Sequence, residues 1–214
     1  NKIIREGRII VNGKPCIEGQ WVELSDEILL DGKPLVPKEK IYIALNKPVG
    51  VVCTAAEEVK DNIIDYLGID DYVFPIGRLD KDSQGLIILT NDGDLNHKLI
   101  SPKYHVDKVY YAEINAPITE KDIKAFENGV TLDDGYKCMS AKLKVIENLE
   151  DSSRVEVTVQ EGKYHQVKRM FEALGKTVVY LKRTEFGGLP LDQELEEGEY
   201  RELTEDELAL LKSY

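Results

Sequence analysis

The stretch GRLDKDSQGLIILTNDGDL, residues 77–95, places a polar loop directly before a continuous apolar run. The apolar residues 86–89 predict a short strand. Arg78 and Asp80 lie two positions apart in the loop, so in an extended backbone they point to the same side. A carboxylate beside cations stays ionised and can act as a nucleophile or base. A surface ion pair is the alternative that this motif alone leaves open.

The composition is that of a globular protein, with 214 residues, 42% of them hydrophobic and 32% charged. This length suits one domain, or a small domain plus a medium one. No apolar run approaches the roughly 20 residues of a membrane span, and no signal peptide is evident. The three cysteines are too scattered for a disulfide framework, a zinc site or a redox pair. We therefore expect a cytoplasmic protein that does not associate with membranes.

Charge is distributed unevenly along the chain. The net charge of −12 argues against a nucleic-acid partner, but residues 190–207 contribute nine acids against one base. Residues 160–183 carry six bases against two acids, and residues 1–14 carry four against one. Because charges are screened beyond about 10 Å at physiological salt, the local field steers a ligand. Two basic segments are compatible with RNA binding, although solvated surfaces give the same pattern.

A small first unit is predicted over residues 1–36. It contains the end of a helix before Gly7, a hairpin at Asn12-Gly13 and a strand that ends at Asp31-Gly32. About 36 residues bury a core with difficulty, and the chain opens within a helix. We therefore expect that helices of this unit precede residue 1, and that residues 37–40 form a linker.

The second unit, residues 41–214, mixes strands and helices without strict βαβ alternation. This order favours an α+β fold, with a mixed, largely antiparallel sheet and flanking helices. Strands are predicted over 41–45, 86–90, 106–114, 138–147, 153–160 and 178–181, and helices over about 61–67, 92–99, 119–128, 164–174 and from 204 onward.

Three further segments carry polar residues that core packing does not require. Lys47 ends the first strand of the second unit and is followed by a proline. Lys108 and Tyr110 share one face of their strand, and an aromatic ring on a polar sheet face suits stacking on a nucleobase. A strand exit and a core tyrosine are the respective alternatives.

The third segment is the helix predicted over 164–174. Tyr164, Val167, Phe171 and Leu174 form its expected buried stripe, with His165 on the outer side. A basic half-helix that follows a glycine suits contact with phosphate. A surface histidine without a catalytic role is the alternative.

Four segments together resemble the RNA pseudouridine synthases. They are Gly77-Arg78-Leu79-Asp80, the run 45–50, Lys108-Val109-Tyr110 and the run 162–170, GKYHQVKRM. The chain looks like the small-ribosomal-subunit branch, which acts on 16S ribosomal RNA, and residues 101–105 favour that branch by resemblance. A large-subunit (23S) synthase is the alternative. Residues 1–36 resemble the end of an RNA-binding module shared with a small-subunit ribosomal protein.

The resemblance implies a role for each matching residue. Asp80 would be the nucleophile on a flipped-out uridine, Tyr110 would stack on the uracil, and Arg78 would enter the RNA stack or meet a phosphate. Lys168 would pair with Asp80, with Arg169 as second choice. Further RNA contacts would come from Lys47, Lys108, Lys163, His165, Gln166, Arg169, Arg5 and Arg8.

The implied reaction breaks a glycosidic bond and rejoins the base through carbon. It needs no redox step, metal or nucleotide, so we expect no cofactor. Attack on the sugar and attack on the base both remain open. The expected partner of this monomer is ribosomal RNA or a small-subunit assembly intermediate. A non-catalytic module that only binds RNA is the alternative from a different class.

Overall fold

The computed structural model describes residues 2–23, 25–35, 39–56 and 58–214. The chain divides into two compact units, residues 1–40 and 41–214. Residues 36–38, where the first unit was predicted to end and a linker to begin, lie outside the described residues. No described helix is both long enough and apolar enough to cross a bilayer.

The first unit contains a short helix and a four-stranded antiparallel sheet in the order β2-β1-β3-β4. Its elements are α1 (Lys2–Arg5), β1 (Ile9–Val11), β2 (Lys14–Pro15), β3 (Ile28–Leu30) and β4 (Lys33–Pro34). Asn12 and Asp31 each adopt a left-handed conformation before a glycine, which matches the two predicted turns.

The second unit is built on a nine-stranded sheet in the order β13-β5-β7-β11-β8-β10-β9, with β6 paired to β7 and β12 paired to β11. Its strands are β5 (Tyr42–Lys47), β6 (Phe74–Pro75), β7 (Gln84–Thr90), β8 (Lys108–Ile114), β9 (Lys142–Asn148), β10 (Ser153–Val159), β11 (Val178–Phe186), β12 (Leu189–Pro190) and β13 (Tyr200–Glu202). Every pair is antiparallel except β7 with β11. This arrangement confirms the predicted α+β class.

Strand β7 is buried on both of its faces. Ile87 and Leu89 belong to the larger hydrophobic cluster, whereas Leu86 and Ile88 belong to a second cluster on the opposite side. A strand covered on both faces has no solvent-facing position for a polar residue. The continuous apolar run in the sequence therefore reflects a central strand.

Among the described residues of this unit, five α-helices flank the sheet: α2 (Ile63–Leu67), α3 (Gly93–Ile100), α4 (Glu120–Asn128), α5 (Gln166–Glu172) and α6 (Glu205–Lys212). Thr119 and Thr204 begin α4 and α6 with capping boxes, which satisfy N–H groups that a helix start leaves free.

Helix α5 differs from its prediction. It is shorter than 164–174, and its buried positions are Gln166, Val167, Met170 and Phe171. Tyr164 lies before the helix with 70% of its surface exposed, so its place in a buried stripe was wrong. The stripe assumed helical periodicity from residue 164, whereas His165 is the N-cap with φ = 49° and the helix begins only at Gln166.

Strands β7 and β11 approach each other closely at Gly85. This glycine pairs with Arg183 and has φ = +105°. A Cβ atom at Gly85 would lie 2.2 Å from the carbonyl oxygen of Arg183. Only glycine tolerates both this backbone conformation and this contact.

The substitution Gly85→Ala is therefore expected to lower the free energy of unfolding by about 3 kcal/mol or more, because the two backbones must separate. Gly93→Ala is the matched control, since a Cβ there meets nothing within 4 Å. The control is expected to stay within about 0.5 kcal/mol of wild type. Urea denaturation measures both variants, and equal stabilities would contradict this account.

Residues 190–207, the acidic segment, are organised around Arg201. Its Nη1 and Nη2 donate to the two carboxylate oxygens of Glu207, each at 2.8 Å, and its Nε donates to Asp192 Oδ2 at 2.8 Å. The hydrogen bond from Arg201 lowers the pKa of Glu207 from its ordinary 4.5 to about 2. The segment is thus held by one bidentate ion pair, which ties β13 to α6.

The substitution Glu207→Gln is expected to lower the free energy of unfolding by about 1 kcal/mol at neutral pH, because it removes a charged bidentate partner of Arg201. A lowered folded-state pKa stabilises the fold above pH 4.5, and this contribution is lost as pH falls towards 2. The difference between wild type and variant should therefore shrink over that interval.

Glu205→Gln is the control, since Glu205 lies exposed in the same helical turn. Thermal unfolding over a pH series measures the three proteins. A difference that persisted undiminished at pH 2 would show that the charge of Glu207 is not responsible.

Candidate active site

A cavity of about 550 Å³ opens where the loop before β7 meets the segment leading into α5. Strands β8 and β11 supply its floor through Tyr110, Leu181 and Arg183. Asp80 and His165 line it from the two loops. The four segments that the sequence singled out contribute unequally, because no residue of the run 45–50 lines the cavity.

Asp80 is paired with cations from the α5 region. Its Oδ2 lies 3.2 Å from Lys168 Nζ, and its Oδ1 lies 3.5 Å from His165 Nε2. The side chain is 23% exposed, so the carboxylate is partly shielded but open to the cavity. A carboxylate in this setting remains available to attack an electrophilic carbon of a ligand.

The backbone on both sides of this pair is fixed locally. The amide of Ser83 donates to the carbonyl of Asp80, which closes a turn directly before β7. His165 begins α5 in a left-handed conformation, and its ring stacks on that of Tyr164 at 3.8 Å between centroids. The strand and the helix thereby hold Asp80 and Lys168 opposite each other.

Lys168 is shared between two carboxylates. Its Nζ lies 2.6 Å from Asp82 Oδ1, closer than to Asp80. Burial lowers the pKa of Lys168, but the hydrogen bond to Asp82 and the charge of Asp80 outweigh burial and raise it above 10.5. The same hydrogen bond lowers the pKa of Asp82. The ammonium therefore stays charged at physiological pH.

Arg169, the second choice as partner of Asp80, points elsewhere. Its guanidinium pairs with Asp133 and, at 2.7 Å, with Asp134. Arg169 does not line the cavity. Of the two alternatives that helical periodicity left open, Lys168 is the residue that reaches Asp80.

Tyr110 and Lys108 lie on the same face of β8, as the alternation predicted. Tyr110 lines the cavity and also packs in the larger hydrophobic cluster, so the stacking and core interpretations both apply to it. Lys108 is buried, with its Nζ donating to the carbonyl of Val106 at 2.9 Å. Burial and the neighbouring charge of Arg183 lower the pKa of Lys108 to about 8.

Arg78 and Lys163 line the mouth of the cavity. Arg78 is exposed and forms no ion pair with any described residue. Lys163 is exposed and lies 4.4 Å from the centroid of the Tyr136 ring. Both cations are therefore accessible to the phosphates of a bound polynucleotide.

Gln166 lines the cavity, whereas Lys47 does not. Lys47 is fully buried, and its Nζ donates to the carbonyl of Pro48 at 2.8 Å. Burial lowers the pKa of Lys47. The negative charges of Asp80 and Asp82 act in the opposite direction and offset only part of this effect. The side-chain amide of Gln166 donates from Nε2 to Glu161, and its Oε1 accepts a hydrogen bond from the backbone N–H of Lys163. The polar groups of both side chains are engaged within the protein, and the RNA contacts predicted for them stay predictions.

Arg5 and Arg8 belong to the first unit and are exposed. Arg5 pairs with Glu18 at 3.0 Å, and Arg8 pairs with Asp31 at 2.6 Å. An RNA phosphate would compete with these carboxylates for the guanidinium groups. Their contacts with RNA stay a prediction.

Sequence reasoning missed several residues of the cavity, namely Ser83, Tyr136, Glu161 and Arg183. Glu161 accepts hydrogen bonds from the hydroxyl of Tyr136 and from the amide of Met139, and so orders one wall. Arg183 occupies an inward position of β11, where an apolar residue is the usual choice. The predicted strand ended at residue 181, whereas β11 extends to Phe186, so the sequence pattern assigned Arg183 no position on a strand face.

No group of three or more histidine, cysteine, aspartate or glutamate residues in the described part of the chain could hold a metal ion. The cavity is lined by the carboxylates of Asp80 and Glu161, by several cations and by three tyrosine rings.

The chain belongs to the RNA pseudouridylate synthase family, whose sequence model matches residues 41–173. It is therefore an isomerase that acts on RNA. A relative from Bacillus subtilis (strain 168), "Uncharacterized RNA pseudouridine synthase YtzG", is 41% identical over 98% of this chain and 90% of its own length.

Two further relatives cover nearly the whole chain. "Ribosomal large subunit pseudouridine synthase B" of Bacillus subtilis (strain 168) is 37% identical over 99% of this chain and 88% of its own. A solved structure, "Crystal structure of pseudouridylate synthase", superposes with a TM-score of 0.73 at 37% identity and covers 98% of this chain and 91% of that one. The small-subunit branch favoured by the sequence is not supported by these relatives.

The substitution Lys168→Met is expected to lower the single-turnover rate of pseudouridine formation about a hundredfold, because the methionine removes the cation beside Asp80. Arg169→Met, one position along, removes a cation that pairs outside the cavity, and its rate should fall by less than about threefold. Tritium release from labelled RNA measures both. Equal losses of rate in the two variants would show that the rate depends on the positive charge of this helix in general and not on the ion pair between Lys168 and Asp80.

Proposed function

We propose that this enzyme converts a uridine of large-subunit ribosomal RNA to pseudouridine in the cytoplasm, with Asp80 as nucleophile. The observation that carries the proposal is the placement of Asp80 against Lys168 at 3.2 Å, in a cavity that also contains Tyr110. One accessible carboxylate, one charged partner and one ring meet the requirements for handling a detached base.

The carboxylate attacks one carbon of the target nucleoside, either the anomeric carbon of the ribose or a ring carbon of the base. In either route the bond between the sugar and N1 breaks and a carbon–carbon bond forms at C5. The bond between Asp80 and the attacked carbon then breaks and releases the carboxylate. The proton at C5 leaves to solvent and N1 takes up a proton, so the product has the same atoms and electrons as uridine. Asp80 attacks as the carboxylate, and the ammonium of Lys168 lies beside it at 3.2 Å.

The target base leaves its stack before it reaches Asp80. Flipping a nucleotide costs a few kcal/mol and requires a surface that receives the base. Tyr110 offers an aromatic ring inside the cavity, while Arg78 is free at its mouth to fill the vacated stack or to bind a phosphate.

The substrate is proposed to be 23S ribosomal RNA because a relative of 37% identity that spans 99% of this chain is named as a large-subunit synthase. The first expectation, 16S RNA or a small-subunit assembly intermediate, rested on short motif resemblances alone. Residues 1–40 are proposed to act as an RNA-binding module of the ribosomal-protein type, in a monomeric enzyme.

The substitution Asp80→Asn tests the proposal, since it removes the negative charge with little change in shape. Pseudouridine formation on 23S RNA should fall about a thousandfold or more. The matched control is Asp94→Asn, which makes the same chemical change at an exposed position outside the cavity. Pseudouridine mapping after incubation with each protein provides the measurement.

The same assay with 16S RNA distinguishes the two subunits. Product on 16S RNA alone would overturn the choice of substrate and leave the chemistry intact. Unchanged product from Asp80→Asn would end the proposed mechanism. RNA binding with no product from any subunit would instead support the non-catalytic RNA-binding alternative.

A further inference from the structure

His165 reaches the cavity from the segment that leads into α5. Its side chain is 36% exposed and lines the cavity, so the imidazole is accessible to a bound nucleotide. Its Nε2 lies 3.5 Å from Asp80 Oδ1, which places a titratable nitrogen beside the attacking carboxylate. The steps assigned to Asp80 make no use of this imidazole.

The imidazole is held in place by its own backbone and by a neighbouring ring. His165 has φ = 49°, a left-handed conformation that is uncommon for residues other than glycine. Its ring stacks on that of Tyr164, with 3.8 Å between the centroids and 18° between the planes. Uncommon backbone conformations persist where the surrounding structure holds them, and they cluster at functional sites. The stack and the backbone together keep Nε2 directed at Asp80.

The isomerisation requires a base for the proton on C5 of the uracil. If Asp80 attacks the sugar, C5 becomes bonded to the anomeric carbon that Asp80 attacked. If Asp80 attacks ring carbon C6, C5 is bonded to that carbon throughout. In both routes C5 is thus the immediate neighbour of the attacked carbon. Its proton is therefore lost close to Asp80, where Nε2 of His165 lies 3.5 Å from a carboxylate oxygen.

The lysines and arginines in and beside the cavity are poorly suited to accept this proton. Ammonium and guanidinium groups are donors that have no acceptor atom while they are charged. Despite its burial, the pKa of Lys168 is raised by the two carboxylates that share it, so its ammonium stays protonated. Burial lowers the pKa of Lys108 to about 8, so most of this ammonium is still protonated at neutral pH, and it donates to a backbone carbonyl.

The oxygen groups of the cavity are also poorer acceptors than an imidazole. The carboxylate of Glu161 already accepts hydrogen bonds from Tyr136, Met139 and Gln166. Tyrosine hydroxyls keep their protons near neutral pH, and the hydrogen bond to Glu161 raises the pKa of Tyr136 to about 12. Carboxylates are in general weaker bases than imidazoles, which titrate closest to physiological pH. Among the described residues that line the cavity, His165 carries the most suitable acceptor.

We infer that the imidazole of His165 accepts the C5 proton of the target base and passes it to solvent. The electron pair of the C5–H bond stays in the ring and restores the double bond between C5 and C6. Nε2 gains the proton, and the imidazolium then loses it to water, which reaches the partly exposed ring. No oxidant or further reactant is required. This inference rests on the proposed function and adds a second catalytic residue beside Asp80.

The substitution His165→Asn tests this role, because asparagine tolerates the left-handed backbone but has no nitrogen at the position of Nε2. Its single-turnover rate of pseudouridine formation should fall about a hundredfold. His105→Asn is the matched control, since His105 also has φ = 49° but is exposed and does not line the cavity. The control should stay within about twofold of wild type. Both are assayed on the ribosomal RNA that wild type modifies.

An isotope measurement separates proton removal from a structural role of His165. The same RNA is prepared with deuterium on C5 of the target uridine. Without the imidazole, loss of hydrogen from C5 becomes the slow step, so His165→Asn should show a larger primary isotope effect than wild type. A residue that only positions Asp80 or begins α5 would slow cleavage of the bond to N1, and the isotope effect would not grow. A slower variant without this growth, or a variant as fast as wild type, overturns the inference.

His165→Gly decides the question if the asparagine variant does not fold, because glycine also adopts positive φ. Added imidazole should raise the rate of this variant at least about tenfold, and no increase would overturn the inference. A wild-type protein that forms no pseudouridine on any ribosomal RNA contradicts the proposed function, and the role of His165 falls with it. An active wild type with unaffected His165 variants contradicts the role of His165 alone.

Discussion

The close parallel contact between β7 and β11 is the constraint on which the site depends. It exists because Gly85 has no Cβ atom. A Cβ at this position would lie 2.2 Å from the carbonyl oxygen of Arg183. The contact fixes the direction in which the loop before β7 leaves the sheet, and hence the position of Asp80. It also places the side chain of Arg183 under the cavity, where Leu86 accepts its Nε–H. A backbone requirement thus sets the chemistry of a side chain five residues earlier.

The electrostatics of the site are set by the several cationic side chains that surround the carboxylate of Asp80. Asp80 is approached by Lys168 and His165, and Lys47 acts on it from within the core. Asp82 takes the shorter contact with Lys168 and so limits how strongly the ammonium binds Asp80. A nucleophile that was locked in a tight ion pair would be less reactive, since the pair must loosen before attack. Because Lys168 is shared with Asp82, Asp80 is not held in a tight ion pair and stays accessible from the cavity.

The sequence predicted what depends on local pattern and missed what depends on register. The run 86–89 identified the central strand, and Asn12-Gly13 and Thr119 identified a turn and a helix start. The pairing of Asp80 with Lys168 came from resemblance, since two residues that lie 88 positions apart share no local signal. Burial of Lys47 and the inward position of Arg183 follow from strand pairing across the sheet. The alternation of apolar and polar residues along one strand does not determine which other strand or helix packs against it.

The net charge of −12 gave a misleading first indication of the partner, and the structure shows why. Part of the negative charge of residues 190–207 is bound to Arg201, and no residue of this segment lines the cavity. The cations that face the cavity are few, and two of them, Lys108 and Arg183, are buried. Burial strengthens the field of a charge because little water screens it. A small number of desolvated cations can therefore outweigh a larger number of exposed acids in choosing an anionic or carbonyl-bearing ligand.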